Sequence, residues 1–407
     1  MADLVLQLKC QCNNYPWGKQ GEDSLAAKLC AKTPGTDFTI DESKNYAEMW
    51  MGTYPVLPSF VLSTGEELQK VLDREEEKYI GKTVLQKFGH ANIMFLPKVL
   101  SIAKALPLQL HPDKYMANRL HQRDPDQFTD PNHKPEIAIA LSDFEAFVGF
   151  KPLSQLEKLI HLEPLKRFLP TVQKPKFDDQ TLKHVVGEIL KADDEVIAET
   201  QAQLSKLPAE ALGKDSYILE MIPRLQKQYD KTDPGIIVAL VTMNYMQLKP
   251  GDSLYIPADS MHAYLSGDII ECMARSNNVL NTGFCPRAER NAVEMFTSCL
   301  TFTPHDALES LLPPESFSKS KKGKTKVYAP PMSEFDMAFL QLGKDEEESW
   351  EAIGGPSIFV CTKGSGMLKA QGKEFDVKEG YVFFVGHGVQ MDWSSEGELE
   401  VFNAFVE

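Results

Sequence analysis

The sequence predicts a mainly β protein with one helical insertion, because the spacing of its apolar residues changes twice along the chain. Between residues 99 and 150, short segments alternate apolar and polar residues and are broken by prolines, which is typical of antiparallel strands. From residue 152 to about 232, the apolar spacing is that of helices. Strand-like spacing returns at Gly235 and extends to the C-terminus. Two β regions, which are candidates for related barrels, are therefore expected on either side of a helical stretch.

Length and charge limit the possible classes of function. The chain has 407 residues, more than the roughly 300 at which a single core stops growing, so several domains are expected. Its 43% hydrophobic and 25% charged residues lie in the globular range, which excludes disordered and fibrous proteins. The formal net charge of −15 argues against a nucleic-acid or membrane-surface partner. An anionic ligand would have to be attracted by a local group of cations.

The cysteines and the N-terminal segment predict a cytoplasmic protein. No run of about 18 apolar residues is present, so no transmembrane helix is expected. The first residues also lack the basic and apolar pattern of a secretory signal. Seven cysteines, an odd number, fit free thiols in a reducing compartment better than a disulfide framework.

Two patterns predict helix starts within the insertion. Residues 154–157 (SQLE) match a capping box, in which a serine and a glutamate satisfy the first backbone N–H groups of a helix. Asp178 and Asp179 precede a second periodic run. Its apolar residues are predicted to share one face: Val186, Ile189, Leu190 and Ile197.

The second β region is predicted to begin at Gly235 with the strand IIVALVTM. Residues 318–326 carry five lysines and are predicted to form a polar linker. Beyond them, short strands separated by glycines predict a small β-sandwich or jelly roll.

Four polar side chains in the β regions have the composition of a divalent metal site. Gln109 and His111 are two residues apart on a predicted strand, so both side chains leave the same face. Lys134 and Glu136 repeat this spacing, and His262 ends a third strand-like segment. Two imidazole nitrogens, an amide oxygen and a carboxylate oxygen suit zinc or another borderline ion. Each pair alone is more typical of a polar strand face, so spacing by itself does not establish the site.

Several longer motifs occur in order over most of the chain. They are YPWGK (15–19), YAEMWMGTYP (46–55), FLPKVLSIAKALPLQLHPDK (95–114), NHKPEIAIAL (132–141), FEAFVGFKPL (144–153), HAYLSGDIIECMA (262–274) and GFCPR (283–287). Together they resemble the type I mannose-6-phosphate isomerases, a zinc-dependent family of the cupin superfamily. The resemblance implies two cupin-like jelly rolls and an α-helical domain.

The resemblance also implies one zinc ion per chain. The family holds it with the glutamine and histidine of Q-x-H, the glutamate of H-K-P-E and the histidine of H-A-Y. The matching residues are Gln109, His111, Glu136 and His262. Residues 1–151 and 235–303 would form the catalytic zinc domain, 152–234 the helical insertion and 304–407 a C-terminal cupin-like domain. That last domain carries His387 but no companion ligands, so it is expected to be metal-free.

The activity that the resemblance implies is the interconversion of mannose 6-phosphate and fructose 6-phosphate, in which a proton moves between C1 and C2 through an enediol. Lys134 and Glu271 match family residues and are the candidates nearest to the proton transfer, with the identity of the base left open. Trp17 and Tyr264 are candidates for the walls of the sugar site.

The chain departs from the family where phosphate is expected to bind. Arg287 occupies the position of the usual lysine in T-P-K, which keeps the charge. Asn281 replaces an arginine of S-D-N-V-x-R-x-G, and Pro107 replaces a serine that commonly precedes Q-x-H. A guanidinium binds phosphate oxygens as a two-pronged fork, so Arg275, Arg287 or Arg290 is expected to supply the missing contact.

Three functions compete at this point. A working isomerase of a small-molecule sugar phosphate, expected as a monomer that supplies mannose phosphate for GDP-mannose and glycan synthesis, is favoured by the intact ligands and by Lys134 and Glu271. The alternative is a zinc-binding relative with weak or no activity that acts as a sugar-phosphate sensor or assembly partner. An iron cupin oxygenase fits poorly, because such sites usually carry H-x-H.

Overall fold

The computed structural model describes residues 3–171 and 176–407, and it confirms a mainly β protein with a helical insertion. The strands of the first part are β1 (Val5–Lys9), β2 (Gln11–Asn13), β3 (Lys19–Gln20), β4 (Asn45–Tyr46), β5 (Glu48–Trp50), β6 (Phe60–Val61), β7 (Phe95–Ile102), β8 (Leu108–Leu110), β9 (Glu136–Ala140) and β10 (Phe144–Phe150). Those after the insertion are β11 (Met243–Leu248), β12 (Ser253–Ile256), β13 (His262–Ala274), β14 (Leu280–Gly283), β15 (Glu315–Ser316), β16 (Thr325–Tyr328), β17 (Asp336–Leu342), β18 (Glu347–Trp350), β19 (Ser357–Ala370), β20 (Lys373–Lys378), β21 (Val382–Val385) and β22 (Met391–Phe405).

The largest group of α-helices is the insertion between β10 and β11, and the others lie singly or together between strands. The α-helices are α1 (Leu25–Ala31), α2 (Leu68–Leu72), α3 (Glu76–Tyr79), α4 (Lys82–Phe88), α5 (Lys114–Arg123), α6 (Leu153–Ile160), α7 (Asp179–Lys191), α8 (Asp194–Leu204), α9 (Ala209–Leu212), α10 (Ile218–Gln228), α11 (Pro234–Ile237) and α12 (Val293–Cys299). Short 3₁₀ turns cover Gly21–Asp23, Lys166–Phe168, Gly213–Asp215, Arg287–Glu289 and Ala307–Ser310, and a π-helix covers Val238–Thr242. None of the helices in the described ranges is long and apolar enough to cross a membrane.

Two ten-stranded sheets carry the two β regions. One follows the order β11-β10-β13-β7-β5-β2, with β8, β9, β12 and β14 attached to it. The other follows the order β15-β16-β17-β22-β19-β21-β1-β6, with β18 and β20 attached. The pairings within both are antiparallel. The first sheet contains every strand that bears a predicted metal ligand.

The long strand β13 links the two halves of the first sheet. Its beginning pairs with β10 and β8, and its end pairs with β7 and β9. The change of partners occurs at Gly267, which has a φ of 120°. A Cβ atom there would lie 2.5 Å from the carbonyl oxygen of Asp143, so only glycine fits the bend. His262 therefore lies before the bend and Glu271 after it, in two differently paired halves of one continuous strand.

The N-terminal strand belongs to the C-terminal sheet. Val5 of β1 pairs with Val385 of β21, and Leu8 pairs with both Val382 and Val61. The sequence instead assigns residues 1–151 together to the first β region. A short strand such as VLQLK carries no signal for which of two sheets it will join, because its alternation predicts a buried face and not a partner. The full domain division stays a prediction.

The prediction of a strand for the segment IIVALVTM is wrong. This segment forms α11 and the π-helix that follows, and the strand β11 begins only at Met243. All of its residues are buried, and a continuous apolar run does not distinguish a buried strand from a buried helix. The start signals were present in Pro234 and in Asp233, whose carboxylate accepts the backbone N–H of Gly235 at 2.8 Å.

The two predicted helix starts have different outcomes. Helix α6 begins at Leu153 after Pro152, without a side-chain cap, so the capping box predicted for residues 154–157 is wrong. The Asp178 carboxylate does cap α7, where it accepts the N–H of Thr181 at 2.8 Å. The four apolar residues predicted to share a face are all buried, although the last of them lies on the next helix, α8: Val186, Ile189, Leu190 and Ile197.

Residues 318–326 are not a linker. They form most of the loop between the paired strands β15 and β16 and the start of β16. The buried carboxylate of Glu348 accepts the backbone N–H groups of Lys322 at 2.8 Å and Lys324 at 2.7 Å. This ordering depends on a residue more than twenty positions away, which the local composition does not reveal. All seven cysteines are free thiols, as the sequence predicts.

A buried lysine joins the helical insertion to the first sheet. Lys151 follows β10 directly, and its side chain is only 2% exposed. Its ammonium group donates to the carbonyl oxygen of Leu240 at 2.6 Å and lies 3.3 Å from the carboxylate of Asp215. Burial lowers the pKa of Lys151 to about 8, and the charge of Asp215 opposes this shift.

Replacing Asp215 with asparagine should therefore lower the free energy of unfolding by about 3 kcal/mol, because it leaves a buried ammonium without a countercharge. The matched control is Asp143→Asn, which removes a pair with Lys249 whose side chains are 76% and 75% exposed. That change should cost less than about 1 kcal/mol. Urea unfolding of both variants measures the difference, and equal losses would contradict the prediction.

Candidate metal centre

Three strands bring two histidines and a glutamate together inside the first sheet. His111 follows β8 directly, Glu136 opens β9 and His262 opens β13. The ligand atoms of these three residues all lie within 4.8 Å of one another. Each residue is at most 1% exposed. The sequence predicts this group, and the structure brings it together at the point where β8 pairs with β13.

The hydrogen bonds of the histidines leave a lone pair on each ring facing Glu136. Nδ1 of His111 lies 2.7 Å from the carbonyl oxygen of Asn278, and Nδ1 of His262 lies 3.1 Å from that of Ser260. A carbonyl oxygen only accepts, so Nδ1 carries the proton on both rings and Nε2 presents its lone pair. Backbone contacts of this kind fix the tautomer of metal-binding histidines.

A buried ring nitrogen without a hydrogen bond supports a metal site. Nε2 of His111 lies 3.2 Å from a carboxylate oxygen of Glu136 but makes no hydrogen bond. Nε2 of His262 lies 3.6 Å from the other oxygen of the same carboxylate. A buried polar atom left without a partner has a desolvation cost that a cation between these atoms would remove. Two imidazole nitrogens and a carboxylate are a donor set that zinc accepts.

The side chain of Gln109 completes the predicted set of four. Its amide nitrogen lies 3.3 Å from Nε2 of His262, the lone pair that a metal would use. The oxygen and nitrogen of an amide exchange places by a rotation of 180°, so this side chain can also present its oxygen. Gln109 therefore lies where the sequence predicts the fourth ligand.

The charges around the centre keep His111 and Glu136 in the protonation states in which they can bind a metal ion. Burial, with the nearby charge of Lys134, lowers the pKa of His111 to about 4, so the ring is neutral at pH 7. Burial would raise the pKa of Glu136, but the charge of Lys134 and the contact with His111 hold it well below its usual value. The Lys134 ammonium lies 3.0 Å from one Glu136 oxygen, and the hydroxyl of Tyr264 donates to the other at 3.4 Å. Both residues were predicted as part of the site.

A second group of buried charges adjoins the centre. The ammonium of Lys98 lies 3.0 Å from the carboxylate of Glu271 and 3.6 Å from that of Glu48. All three residues are more than 90% buried. Burial raises the pKa of Glu271 to about 7, while Lys98 opposes that shift. A carboxyl group with this pKa can both accept and donate a proton near neutral pH.

Sequence reasoning missed Lys98 and Glu48. The available signal was a charged residue within an otherwise apolar strand, in FLPKVLSI and in YAEMW. The register then shows the reason for Lys98, since it pairs directly with Glu271 across β7 and β13 and with Trp50 across β7 and β5.

Trp17 lies at the edge of the site and not at its centre. It packs, partly buried, against the apolar group of residues that includes Tyr264. Its carbonyl oxygen accepts the backbone N–H groups of Ala103 and Lys104 at 3.0 and 3.1 Å. These contacts hold the N-terminal segment against the end of β7. A role for Trp17 in sugar binding stays a prediction.

Asn281 lies beside Gln109, the predicted fourth ligand. The two residues are direct partners in the β8–β14 pair, so their side chains leave the same face. The backbone N–H of Asn281 donates to the side chain of Asn291 at 2.8 Å, whereas its own Oδ1 is buried without a hydrogen bond. Asn281 therefore adds an unsatisfied acceptor next to the centre where the family pattern has an arginine.

The candidate arginines have different partners. Arg287 lies on the 3₁₀ turn after β14, with its side chain 64% exposed and paired with Asp194 of α8. Arg290 is 17% exposed and pairs at 2.9 Å with Asp233, which is almost fully buried.

Arg275 differs from both of these arginines. It follows β13 and donates to the hydroxyl of Thr53 at 3.1 Å. Its guanidinium also lies 5.2 Å from the centre of the Tyr54 ring. Within the described ranges, no carboxylate lies within ion-pair distance of Arg275.

Comparison with known proteins finds close agreement over the whole chain. Residues 5–153 match the family model described as phosphomannose isomerase type I, catalytic domain. The mannose-6-phosphate isomerase of Candida albicans is 35% identical, with 100% of this chain and 99% of the relative covered. That of Schizosaccharomyces pombe is 36% identical, with 99% of this chain and 100% of the relative covered. These matches confirm the resemblance carried by the motifs.

Solved structures agree with the fold. The apo form of mannose 6-phosphate isomerase from Salmonella typhimurium superposes with a TM-score of 0.83 at 24% identity, covering 100% of both chains. A zinc-bound mannose 6-phosphate isomerase superposes with a TM-score of 0.82, also at 24% identity and full coverage. At this identity the superpositions establish the shared fold, and the predicted cupin-type fold class is confirmed.

Proposed function

The chain belongs to the type I phosphomannose isomerase family, and we propose from this that it interconverts mannose 6-phosphate and fructose 6-phosphate. The observation that carries the proposal is the buried group of His111, Glu136 and His262, in which both Nε2 lone pairs face one carboxylate. Lys134 and Glu271 lie next to this group and bring titratable atoms to it. The direct test is an assay of both directions of the reaction with the purified protein.

We propose one zinc ion per chain, held by Gln109, His111, Glu136 and His262. The donor set of two imidazoles, a carboxylate and an amide suits this ion, and the neutral ring of His111 and the ionised carboxylate of Glu136 are in the required protonation states. A bound zinc ion would supply Lewis acidity, which stabilises negative charge developing on a substrate oxygen.

Two side chains of this protein are suited to transfer the proton between C1 and C2 of the substrate. The carboxyl of Glu271, with a pKa near 7, can take a proton from one carbon and return it to the other. Lys98 lies 3.0 Å from that carboxyl and stabilises its ionised form between transfers. The ammonium of Lys134 provides a donor held against Glu136, so it is the second candidate for moving or stabilising the proton.

We propose that Arg287 binds the phosphate of the substrate. Its partner Asp194 is 53% exposed, and breaking such an exposed pair costs at most about 1 kcal/mol, so the guanidinium is free to turn to a phosphate. Arg290 is committed to Asp233, whose burial makes separation of that pair expensive. Asn281 and Trp17 would then contact the sugar, and Tyr264 would close the wall beside Glu136.

The proposed setting is a cytoplasmic monomer whose product, mannose 6-phosphate, is used for GDP-mannose and protein glycosylation. Free thiols throughout the chain support a reducing compartment. The sensor alternative would be favoured by a protein that binds zinc and sugar phosphate but turns neither substrate over. No observation at the site supports it over the enzyme, because the titratable groups needed for proton transfer are in place.

The metal prediction concerns His262. The purified protein should contain about one zinc per chain and should lose activity on chelation. His262→Ala should lower both zinc content and thermal stability, because the ligand set exists only in the folded barrel and binding stabilises that state. Metal analysis and thermal unfolding measure the two effects. Full activity without stoichiometric metal would contradict the zinc proposal.

The matched control for this change is His387→Ala. His387 lies in the C-terminal sheet region, where its ring packs on Gly81 and its backbone N–H donates to the carbonyl oxygen of Tyr79. Within the described ranges, the only group of three or more possible ligand side chains is the one at His111. Zinc content and kcat of His387→Ala should therefore stay near wild type. A large fall in kcat with unchanged stability would instead assign His387 itself a role in turnover.

The phosphate prediction compares Arg287→Ala with Arg290→Ala. The first should lower kcat/KM about ten- to a hundredfold, because a charge-assisted contact to phosphate is lost. The second should mainly lower thermal stability, because it leaves the buried Asp233 without its cation. Zinc content should be unchanged in both. If neither change affects turnover in an active wild type, a different group binds the phosphate.

A further inference from the structure

The loop that carries Lys134 is fastened to the first sheet at its beginning. Asp130 accepts the hydroxyl of Ser276 and the backbone N–H of Asn277, both at 2.8 Å. The side chain of Asn278 donates to the carbonyl oxygens of Asp130 and Asn132 at 2.7 and 2.8 Å. These contacts fix residues 130–132, and the carbonyl oxygen of Pro135 accepts the backbone N–H of Ala274 at 3.1 Å, so His133 and Lys134 lie between two fastened points.

His133 is held by the C-terminal β region. Its Nε2 donates to a carboxylate oxygen of Glu334 at 2.6 Å. Glu334 lies between β16 and β17 and is 7% exposed, and its other oxygen accepts the backbone N–H of Ser333 at 3.1 Å. His133 and Lys134 are consecutive but contact different groups, since His133 reaches Glu334 while Lys134 reaches Glu136.

We propose that Glu334 is a positioning residue for Lys134, acting through His133 across the boundary between the two sheets. A lysine has a long flexible stem, and its ammonium group is confined only if the backbone below it is confined. The Glu334–His133 hydrogen bond supplies that constraint directly next to Lys134. The C-terminal β region thereby takes part in the site without contributing a ligand. The catalytic part of this inference rests on the proposed isomerase function.

A double-mutant cycle tests the proposal. Glu334→Ala should lower kcat about tenfold while zinc content and KM stay near wild type, because misplacing a catalytic group affects turnover more than binding. In a Lys134→Ala background, the same change should lower kcat by less than about twofold, since the group that it positions is already absent. Glu334→Gln should recover most of the loss, because its amide oxygen still accepts from His133.

The matched control is Tyr328→Phe. The hydroxyl of Tyr328 donates to the carbonyl oxygen of Gly251 at 2.9 Å. Like the Glu334–His133 contact, this is a single hydrogen bond from the C-terminal β region to the first sheet. Gly251 precedes β12 and is distant in sequence from Lys134. This variant should lower thermal stability about as much as Glu334→Ala without lowering kcat. Equal losses of kcat in the two variants would reduce Glu334 to a structural contact.

Hydrogen exchange gives a readout that does not depend on activity. The backbone amides of His133, Lys134 and Glu136 should exchange faster in Glu334→Ala than in wild type, and at the wild-type rate in Tyr328→Phe. Unchanged exchange there, or a loss of kcat that persists fully in the Lys134→Ala background, would overturn the positioning role. A wild-type protein without isomerase activity would instead refute the proposed function, and the exchange rates would still decide whether Glu334 holds the loop.

Discussion

The carboxylate of Glu136 is almost completely removed from water, and the surrounding structure stabilises its charge. An isolated buried carboxylate is expensive, so it survives in ionised form only with several partners. Here Lys134 supplies a cation at 3.0 Å, Tyr264 donates a hydroxyl hydrogen and two imidazole rings complete the surroundings. The imidazoles contribute lone pairs and not protons, so their side of the carboxylate lacks positive charge. A divalent cation would supply it.

The same constraint explains the second charged group. Lys98 lies between Glu48 and Glu271, with the indole of Trp50 5.0 Å from its ammonium group. Two carboxylates share one buried cation. Burial raises the pKa of Glu271 to about 7, and the charge of Lys98 opposes this shift without cancelling it. The buried setting of Glu271 therefore provides a group able to exchange a proton near neutral pH.

The sequence predicts the ligands better than their environment, for a physical reason. The spacing of two between Gln109 and His111, and between Lys134 and Glu136, is a property of one strand and can be seen in isolation. Lys98 was missed because its role depends on the register of β7 against β13, which brings Glu271 beside it. The Glu334–His133 contact joins residues two hundred positions apart, and no local pattern encodes it.

The fold likewise contains elements that the local sequence predicts and others that depend on residues far away in the chain. The short strands predicted between residues 99 and 150 and the buried face of α7 follow from periodicity, whereas α5, which lies between β8 and β9, was not predicted. The segment IIVALVTM was assigned to a strand because it is uniformly apolar, whereas its helical state is signalled by Pro234 and Asp233 before it. The partner of β1 depends on which sheet edge is available, a property of the assembled molecule.

An acidic chain that binds an anion must do so with a few local cations. With a net charge of −15, the long-range field repels a sugar phosphate, but at physiological salt this field is screened beyond about 8 Å. The local cations then differ by how firmly they are already held. Lys98 and Arg290 are held by buried carboxylates, whereas Arg287 is held by an exposed one. Exchange of an exposed partner for phosphate costs little, so the proposed binding of an anion by Arg287 would leave no buried charge unpaired.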